Sequence, residues 1–280
     1  MINIIINADD LGYSHSVNNA IQGCLKAGSV TSATLMANAP AFDEGVSIVK
    51  NNPNASYGVH LNIIEFKPLT DDTVFRKYGL VDDNGDFREG AVFTIDDFTV
   101  ELKDAIYKEW DAQIRKIKNV GIVPSHLDSH QHTHTIYGMR DIVLRLMQEH
   151  GIKRVRRRTI PSIRLMLKTR NRNTVHLDKS NAVQRKRQNI FQRRINLFCA
   201  IVTSEKWCNF FSKNAVVTNS FYAYRSVVYG SDYLIKRLDG RTVELMCHPG
   251  HPAYEEETRM VCEFRLNNFC ECNYINYNDL

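Results

Sequence analysis

The sequence predicts an α/β fold, a largely parallel sheet curled into an irregular, TIM-like (β/α) barrel of about seven strands. Three observations lead there. Short β-branched runs alternate with stretches whose apolar residues recur at helical spacing. Strand after strand terminates in Asp or His, the way parallel strands deliver functional groups from their C-terminal ends. No internal repeat or low-complexity linker divides the chain, so we expect one barrel domain over residues 1–280 with a basic, mainly helical insertion at about 158–205.

Taken in order, Ile2 to Ile6 reads as a buried strand that stops at Asn7-Ala8-Asp9-Asp10-Leu11-Gly12. Ser14 is placed to cap a helix carrying Val17, Ile21, Cys24 and Leu25, with Gly28 as its stop. A second strand spans Val30 to Met36, and Pro40 suits the first turn of a helix with Phe42, Val46 and Val49 on one face. The third strand is Ser56 to Ile63 and contains His60. Residues 65–93 show turn chemistry without periodicity and read as a long excursion over one mouth of the fold. Thr94 and Asp97 have capping-box spacing and open a helix through Phe98, Leu102, Ile106, Trp110, Ile114 and Ile117. The His-rich stretch follows, then a helix through Ile136, Ile142, Val143, Leu146 and Met147 halted at Gly151, and a strand from Lys153 to Arg157. Beyond the basic insertion come a helical stretch with Trp207, Phe210 and Phe211, the aromatic run Phe221-Tyr222-Ala223-Tyr224, and a strand Thr242 to Cys247 leading into His248-Pro249-Gly250.

Composition narrows the function classes. With 43% hydrophobic residues the chain can bury a large core. Seven cysteines at irregular spacing suit reduced thiols better than a disulfide framework. Met1-Ile2-Asn3-Ile4-Ile5-Ile6-Asn7 lacks a basic leader and reads as a strand, not a signal peptide. No apolar run approaches the roughly 20 residues of a membrane helix, so a cytoplasmic protein without a membrane span is expected. The net charge of +5 hides an asymmetry: Lys153 to Arg194 holds 15 Lys or Arg against one acid, Asp178, leaving the rest of the chain acidic. Only Phe191 and Phe198 lie in or just beyond that segment, so nucleic acid is not the expected partner, and a solvated insertion steering an anionic substrate is the better reading.

The densest chemistry lies in Ser125-His126-Leu127-Asp128-Ser129-His130-Gln131-His132-Thr133-His134, where four of the ten histidines and a carboxylate fall within ten residues. Neutral imidazole and ionised carboxylate are good ligands for divalent metals. Extended, the segment puts His126, Asp128, His130, His132 and His134 on one face. A flexible His-rich patch is the bland alternative. The barrel arrangement argues against it, because it gathers Asp9, Asp10, His60, His130 and His248 at one rim. One carboxylate and two imidazoles can hold a metal, and the second of the paired aspartates is then available as a general base. Both reach the site only if the strand bends there. His248, on another strand, can protonate a departing amine. The pattern points to metal-assisted hydrolysis of an amide or ester. A metal-dependent sugar isomerase or aldolase remains open, as does a non-catalytic metal-binding protein whose basic arm contacts nucleic acid or a partner.

Four blocks resemble the YdjC/ChbG-type carbohydrate deacetylases: Asn7 to Gly12, Gly58-Val59-His60-Leu61-Asn62, His126 to His134, and Glu244-Leu245-Met246-Cys247-His248-Pro249-Gly250. They occur in the family's order. The resemblance implies an irregular (β/α) barrel and a divalent metal, Mg2+ with Zn2+ as the alternative, bound by Asp10, His60 and His130. It implies Asp9 as the base on a metal-bound water, His248 as the acid, and release of acetate from an N-acetylated sugar or oligosaccharide. It further implies a cytoplasmic protein and a possible homodimer. Leu11 and Gln131 stand where the family often has Phe and His, and neither is an assigned ligand. The basic segment is a departure that points to a phosphorylated or otherwise acidic glycan, or else to a surface without catalytic role. His132, His134 and Arg156 are candidates to line the substrate pocket, and Tyr222 and Tyr224 either stack on sugar rings or belong to the core.

Overall fold

The computed structural model describes residues 1–158, 190–235, 241–264, 268 and 271–280. Most of the expected basic insertion therefore lies outside the described residues. The strands are β1 (Ile2–Leu11), β2 (Ser32–Leu35), β3 (Ser56–Leu61), β4 (Leu127–Ser129), β5 (Ser220–Ala223), β6 (Thr242–Cys247) and β7 (Cys272–Tyr274). They form one 7-stranded sheet in the order β4-β3-β2-β1-β6-β5, with β7 added to β1. Every pairing is parallel. The helices are α1 (His15–Lys26), α2 (Phe42–Asn51), α3 (Thr73–Lys77), α4 (Val100–Asn119), α5 (Arg140–His150), α6 (Ile190–Asn214), α7 (Tyr224–Ile235) and α8 (Glu255–Glu263). None is long and apolar enough to cross a membrane, among the described residues.

The alternation of strand and helix is as the periodicity predicts, but the barrel is not closed and the sheet is a half-barrel. Lys153 to Arg157, expected as a strand, makes only isolated bridges: Val155 to Leu127 of β4 and Arg154 to Val216. The reason lies in β4, which is three residues long because Gln131 and His132 turn the chain into left-handed backbone just past it. A strand that short offers no edge for a longer ladder.

β1 is the axis of the sheet. It runs past the apolar stretch Ile2 to Ile6 as far as Leu11, and its polar end, Asn7, Asp9 and Asp10, is buried. β6 pairs with Asn3 to Ala8, while β7 takes Ile2 to Ile4 and β2 takes Asn7 to Leu11. Since a strand has two edges, β7 and β2 share one of them end to end.

Local signals set a few of the helix ends. The Ser14 hydroxyl accepts from the Val17 amide at the start of α1, and left-handed Gly151 ends α5. The start of α4 is a correction: Thr99, not Thr94, caps it, accepting from the Leu102 amide. Thr94 instead donates to the Ala91 carbonyl and closes a short 3-10 turn, so Phe98 precedes the helix. The excursion after β3 is pinned to α4 by a buried carboxylate. Glu109 accepts from the Leu69 and Thr70 amides and the Thr70 hydroxyl, and Gln113 bonds both backbone groups of Asn62.

Two glycines report on packing in opposite ways. A Cβ built on Gly58 of β3 would lie 2.6 Å from His126 Cε1, whereas one on Gly23 of α1 meets nothing within 4 Å. Gly58→Ala is expected to destabilise by about 1–3 kcal/mol through overpacking, and Gly23→Ala to stabilise by about 0.5–1 kcal/mol through the unfolded chain. Chemical denaturation of the two variants checks both signs.

Candidate active site

Adjacent residues of a strand point to opposite faces, yet Asp9 and Asp10 both reach the C-terminal rim of the sheet. The backbone solves this with a register shift between Ala8 and Leu11 and a left-handed Asp10 at φ 66°. Asp is among the few residues that tolerate that region. The bend that the sequence required is therefore at Asp10 itself, followed by left-handed Gly12.

Asp10, His60 and His130 come together from β1, β3 and the end of β4. Asp10 Oδ1 lies 3.1 Å from His60 Nε2 and 2.9 Å from His130 Nδ1. Asp10 Oδ2 is buried without a hydrogen-bond partner among the described residues. The three donor atoms all lie within 4.8 Å of one another, close enough for one ion to touch them together. The lone buried oxygen and the imidazole-carboxylate donor set fit a divalent cation. All three groups are buried, and they could hold such an ion.

Each imidazole is held from behind. His60 Nδ1 donates to Asp128 Oδ1 at 2.7 Å, and the Thr34 hydroxyl, 3.1 Å from the same nitrogen, donates to Asp128 Oδ2. His130 Nε2 faces Glu65 Oε1 at 3.8 Å. Carboxylates on both sides of a ring favour the imidazolium. Burial opposes it, but Asp128 and Asp10 prevail and raise His60 to about 10, and Asp10 and Glu65 raise His130 to about 9.

Asp9 has a different environment. Arg156 grips it with two bonds, Nη1 to Oδ2 at 2.7 Å and Nη2 to Oδ1 at 2.6 Å, and Asn7 donates a third to Oδ1. The same guanidinium reaches Asp128 at 2.8 Å and Glu244 at 2.7 Å. Burial works against the Asp9 charge, but Arg156 beside it holds the carboxyl well below its usual range. Glu244, sharing that cation and accepting from the Tyr277 hydroxyl, is instead pushed up by burial to about 7.

His248 stands on the loop after β6. Glu257 of α8 accepts from its backbone amide at 2.7 Å and lies 3.2 Å from Nδ1, while Tyr254 stacks on the ring at 4.3 Å. Burial disfavours its charged form, but the Glu257 hydrogen bond and the charges of Asp10 and Asp9 raise its pKa overall. Tyr13, Phe66, His251 and Tyr254 form a rim of rings in mutual contact beside it.

The expected substrate residues separate. Arg156 is fully buried among three carboxylates, so its guanidinium holds the site together. His134 is also fully buried: Nε2 donates to the Arg156 carbonyl and Nδ1 takes the Ser129 hydroxyl. His132 lines a cavity with Thr135, Arg157, Arg158 and Phe221. The one-face expectation fails beyond His130 because Gln131 and His132 are left-handed, and His126 packs on Tyr277 at 3.5 Å in a lower layer. Tyr224 is core, its hydroxyl donating to the Phe264 carbonyl, and Tyr222 packs against that core. Sequence reasoning missed Glu65, Glu244, Glu257 and Tyr277 and assigned no role to Asp128. The one available signal was Glu244, a carboxylate inside an apolar strand, which requires a buried cation.

Against known proteins, residues 3–274 match the model of the family described as YdjC-like protein. The chain is 33% identical over 149 residues to a carbohydrate deacetylase of Halalkalibacterium halodurans, covering 53% of this chain and 61% of that one. It is 35% identical over 149 residues to a carbohydrate deacetylase of Brevibacillus brevis, covering 53% and 57%. These alignments thus span less than two thirds of each relative. A crystal structure of an Enterococcus faecalis protein named for cellobiose-phosphate cleavage superposes over 99% of this chain and 98% of its own, with TM-score 0.71 at 19% identity, a likeness of fold. The family match over nearly the whole sequence is decisive, and the chain belongs to the YdjC-like family.

Proposed function

We propose that this protein is a metal-dependent N-deacetylase of acetylated sugars or oligosaccharides. The observation that carries the reading is the side-by-side placement of a cation-binding triad, Asp10, His60 and His130, and a free-standing carboxylate, Asp9, kept ionised by Arg156. The names of the similar bacterial proteins supply the substrate class. A divalent cation bound there supplies Lewis acidity, making water more acidic and polarising the acetyl carbonyl. Magnesium is the ion that the resemblance implies, although two imidazoles in the donor set suit zinc equally well or better.

The chain's own groups do the rest. Asp9 Oδ1 already accepts two hydrogen bonds and Oδ2 one from Arg156, so Oδ2 keeps a lone pair with which to take the proton of the attacking water. The Arg156 fork prevents the carboxylate from turning away or picking up a bulk proton. His248, whose proton the Glu257 carboxylate helps to hold against the cost of burial, is placed to deliver it to the departing amine nitrogen.

Incubating the metal-loaded protein with N-acetylated mono- and oligosaccharides should release acetate, and absence of acetyl loss from the whole panel would refute the reading. Asp9→Asn is expected to lower kcat by about 10²–10⁴-fold, the usual worth of a general base, with metal content retained. His60→Ala is expected to lose metal and activity together, read by metal analysis beside the assay.

Metal binding should release protons. With His60 at about 10 and His130 at about 9, both rings are imidazolium at neutral pH, and each must give up one proton to become a ligand. Apparent affinity therefore rises with pH, approaching about 100-fold per pH unit if two protons leave. Calorimetry in buffers of different ionisation enthalpy measures the release, and an affinity that is flat between about pH 6 and 8 would contradict the ligand assignment.

Glu257→Gln removes the carboxylate that keeps His248 protonated. The alkaline limb of the kcat profile, where the acid loses its proton, should move to lower pH, while the acid limb stays in place.

A further inference from the structure

The loop that carries His248 is held by two helices. From α1, the Ser16 hydroxyl donates to the Gly250 carbonyl at 3.2 Å, and a Cβ built on Gly250 would come within 2.6 Å of the Ser16 carbonyl oxygen. From α8, the Thr258 hydroxyl accepts from the Gly250 amide at 2.8 Å and Glu257 accepts from the His248 amide at 2.7 Å. Further along both helices, the thiols of Cys24 and Cys262 meet, Sγ to Sγ, at 3.8 Å.

The two thiols differ in access. Cys24 is 1% exposed and belongs to the core beside Val17 and Ile21 of its own helix, whereas Cys262 is exposed. A buried cysteine needs no explanation beyond packing, since cysteine behaves as a small hydrophobe. An exposed one set against a buried one on another helix does, because cysteine is among the residues most often removed from solvent. Cys247 and Cys208 show the ordinary case: both are buried and direct their thiols to backbone carbonyls, of Asn7 and Arg158, at 3.4 Å. In the Cys24–Cys262 pair one thiol can meet a solute and the other is placed to meet its neighbour, the arrangement of an attacking and a resolving cysteine. Sulfur atoms at this distance are already in contact, and rotation about χ1 is the motion that brings such a pair to the roughly 2.05 Å of a disulfide.

We propose that Cys24 and Cys262 are a reversible oxidation site, closing to a disulfide that staples α1 to α8 and so fixes the His248 loop between them. The oxidant is a low-molecular-weight disulfide. The Cys262 thiolate attacks one of its sulfurs, the sulfur–sulfur bond breaks, and one half leaves as a thiolate that takes up a proton. The Cys24 thiolate then attacks Cys262 Sγ in the mixed disulfide and expels the other half, which is protonated in turn. Two protons and two electrons thus pass from the protein thiols to the small disulfide, which is reduced to two thiols. The bond joins residues 238 apart in the chain, so it constrains the unfolded state strongly.

The test equilibrates the full chain with oxidised and reduced glutathione, alkylates the remaining thiols and maps the peptides by mass. Oxidation should remove two mass units per chain and link the Cys24 and Cys262 peptides. It should raise Tm by about 5–10 °C, slow hydrogen exchange over residues 248–262, and be undone by dithiothreitol. C262S changes an exposed side chain, so it is expected to fold, to melt where the reduced chain does, and to show neither the link nor the Tm shift; C24A should remove the same link from the buried side. A link from Cys262 to Cys270 or Cys272, a link between two chains, glutathione left on Cys262 without the second exchange, or unchanged exchange over 248–262 in the linked chain would each overturn the proposal. None of these readouts involves turnover, so the staple and the deacetylase reading stand or fall separately.

Discussion

One guanidinium surrounded by three carboxylates is the constraint on which this structure depends. Arg156 binds Asp9 of β1, Asp128 of β4 and Glu244 of β6, and all four side chains are essentially removed from solvent. An unpaired buried ion costs several kcal/mol, so these strands can approach one another only around that cation. Arg suits the role because its planar fork offers five donors in fixed directions and remains charged at every relevant pH. Asp128 extends the network, with one oxygen on Arg156 and the other on His60, so that the cluster of Asp10, His60 and His130 and the Asp9 carboxylate are positioned by a single set of bonds.

The strained backbone of the molecule collects where that network meets solvent. Asp10, Phe66, Gln131 and His132 are the non-glycine residues with positive φ among those described. Each sends a side chain where a regular strand or turn would not: Asp10 beside Asp9, Phe66 onto Tyr13, His132 towards Phe221. Departures from local preference that gather at one rim, against a regular sheet elsewhere, are what a site built on a fold looks like.

How far the sequence could be read follows from which forces were local. Strands such as Thr242 to Cys247 and the Ser14 cap were legible because β-branched runs and a cap hydroxyl act over a few residues. The four blocks marked residues that meet in space, since Asp10, His60 and His130 converge. β1 was read too short because polarity was taken as the end of the strand, whereas Asn7, Asp9 and Asp10 are buried precursors of the site. Thr94 misled because a hydroxyl can serve its own turn as readily as a helix. Arg156 was counted among the basic residues of a solvated segment, and no local rule distinguishes it from Arg157. Its partners are separated by 147 and 88 residues in the chain, and only the closed network shows that its charge belongs inside.

The shared edge of β1 has a consequence for how the protein is made. On one edge Ile2 to Ile4 pair with Cys272 to Tyr274, and on the other Asn3 to Ala8 pair with Thr242 to Cys247. The apolar half of β1 is thus paired on both edges only once strands far along the chain are in place, and its edges stay adhesive until then. Such distant pairings slow folding and expose strand edges. Folding is therefore paced by the arrival of those distant strands at β1 more than by the stability of the finished sheet.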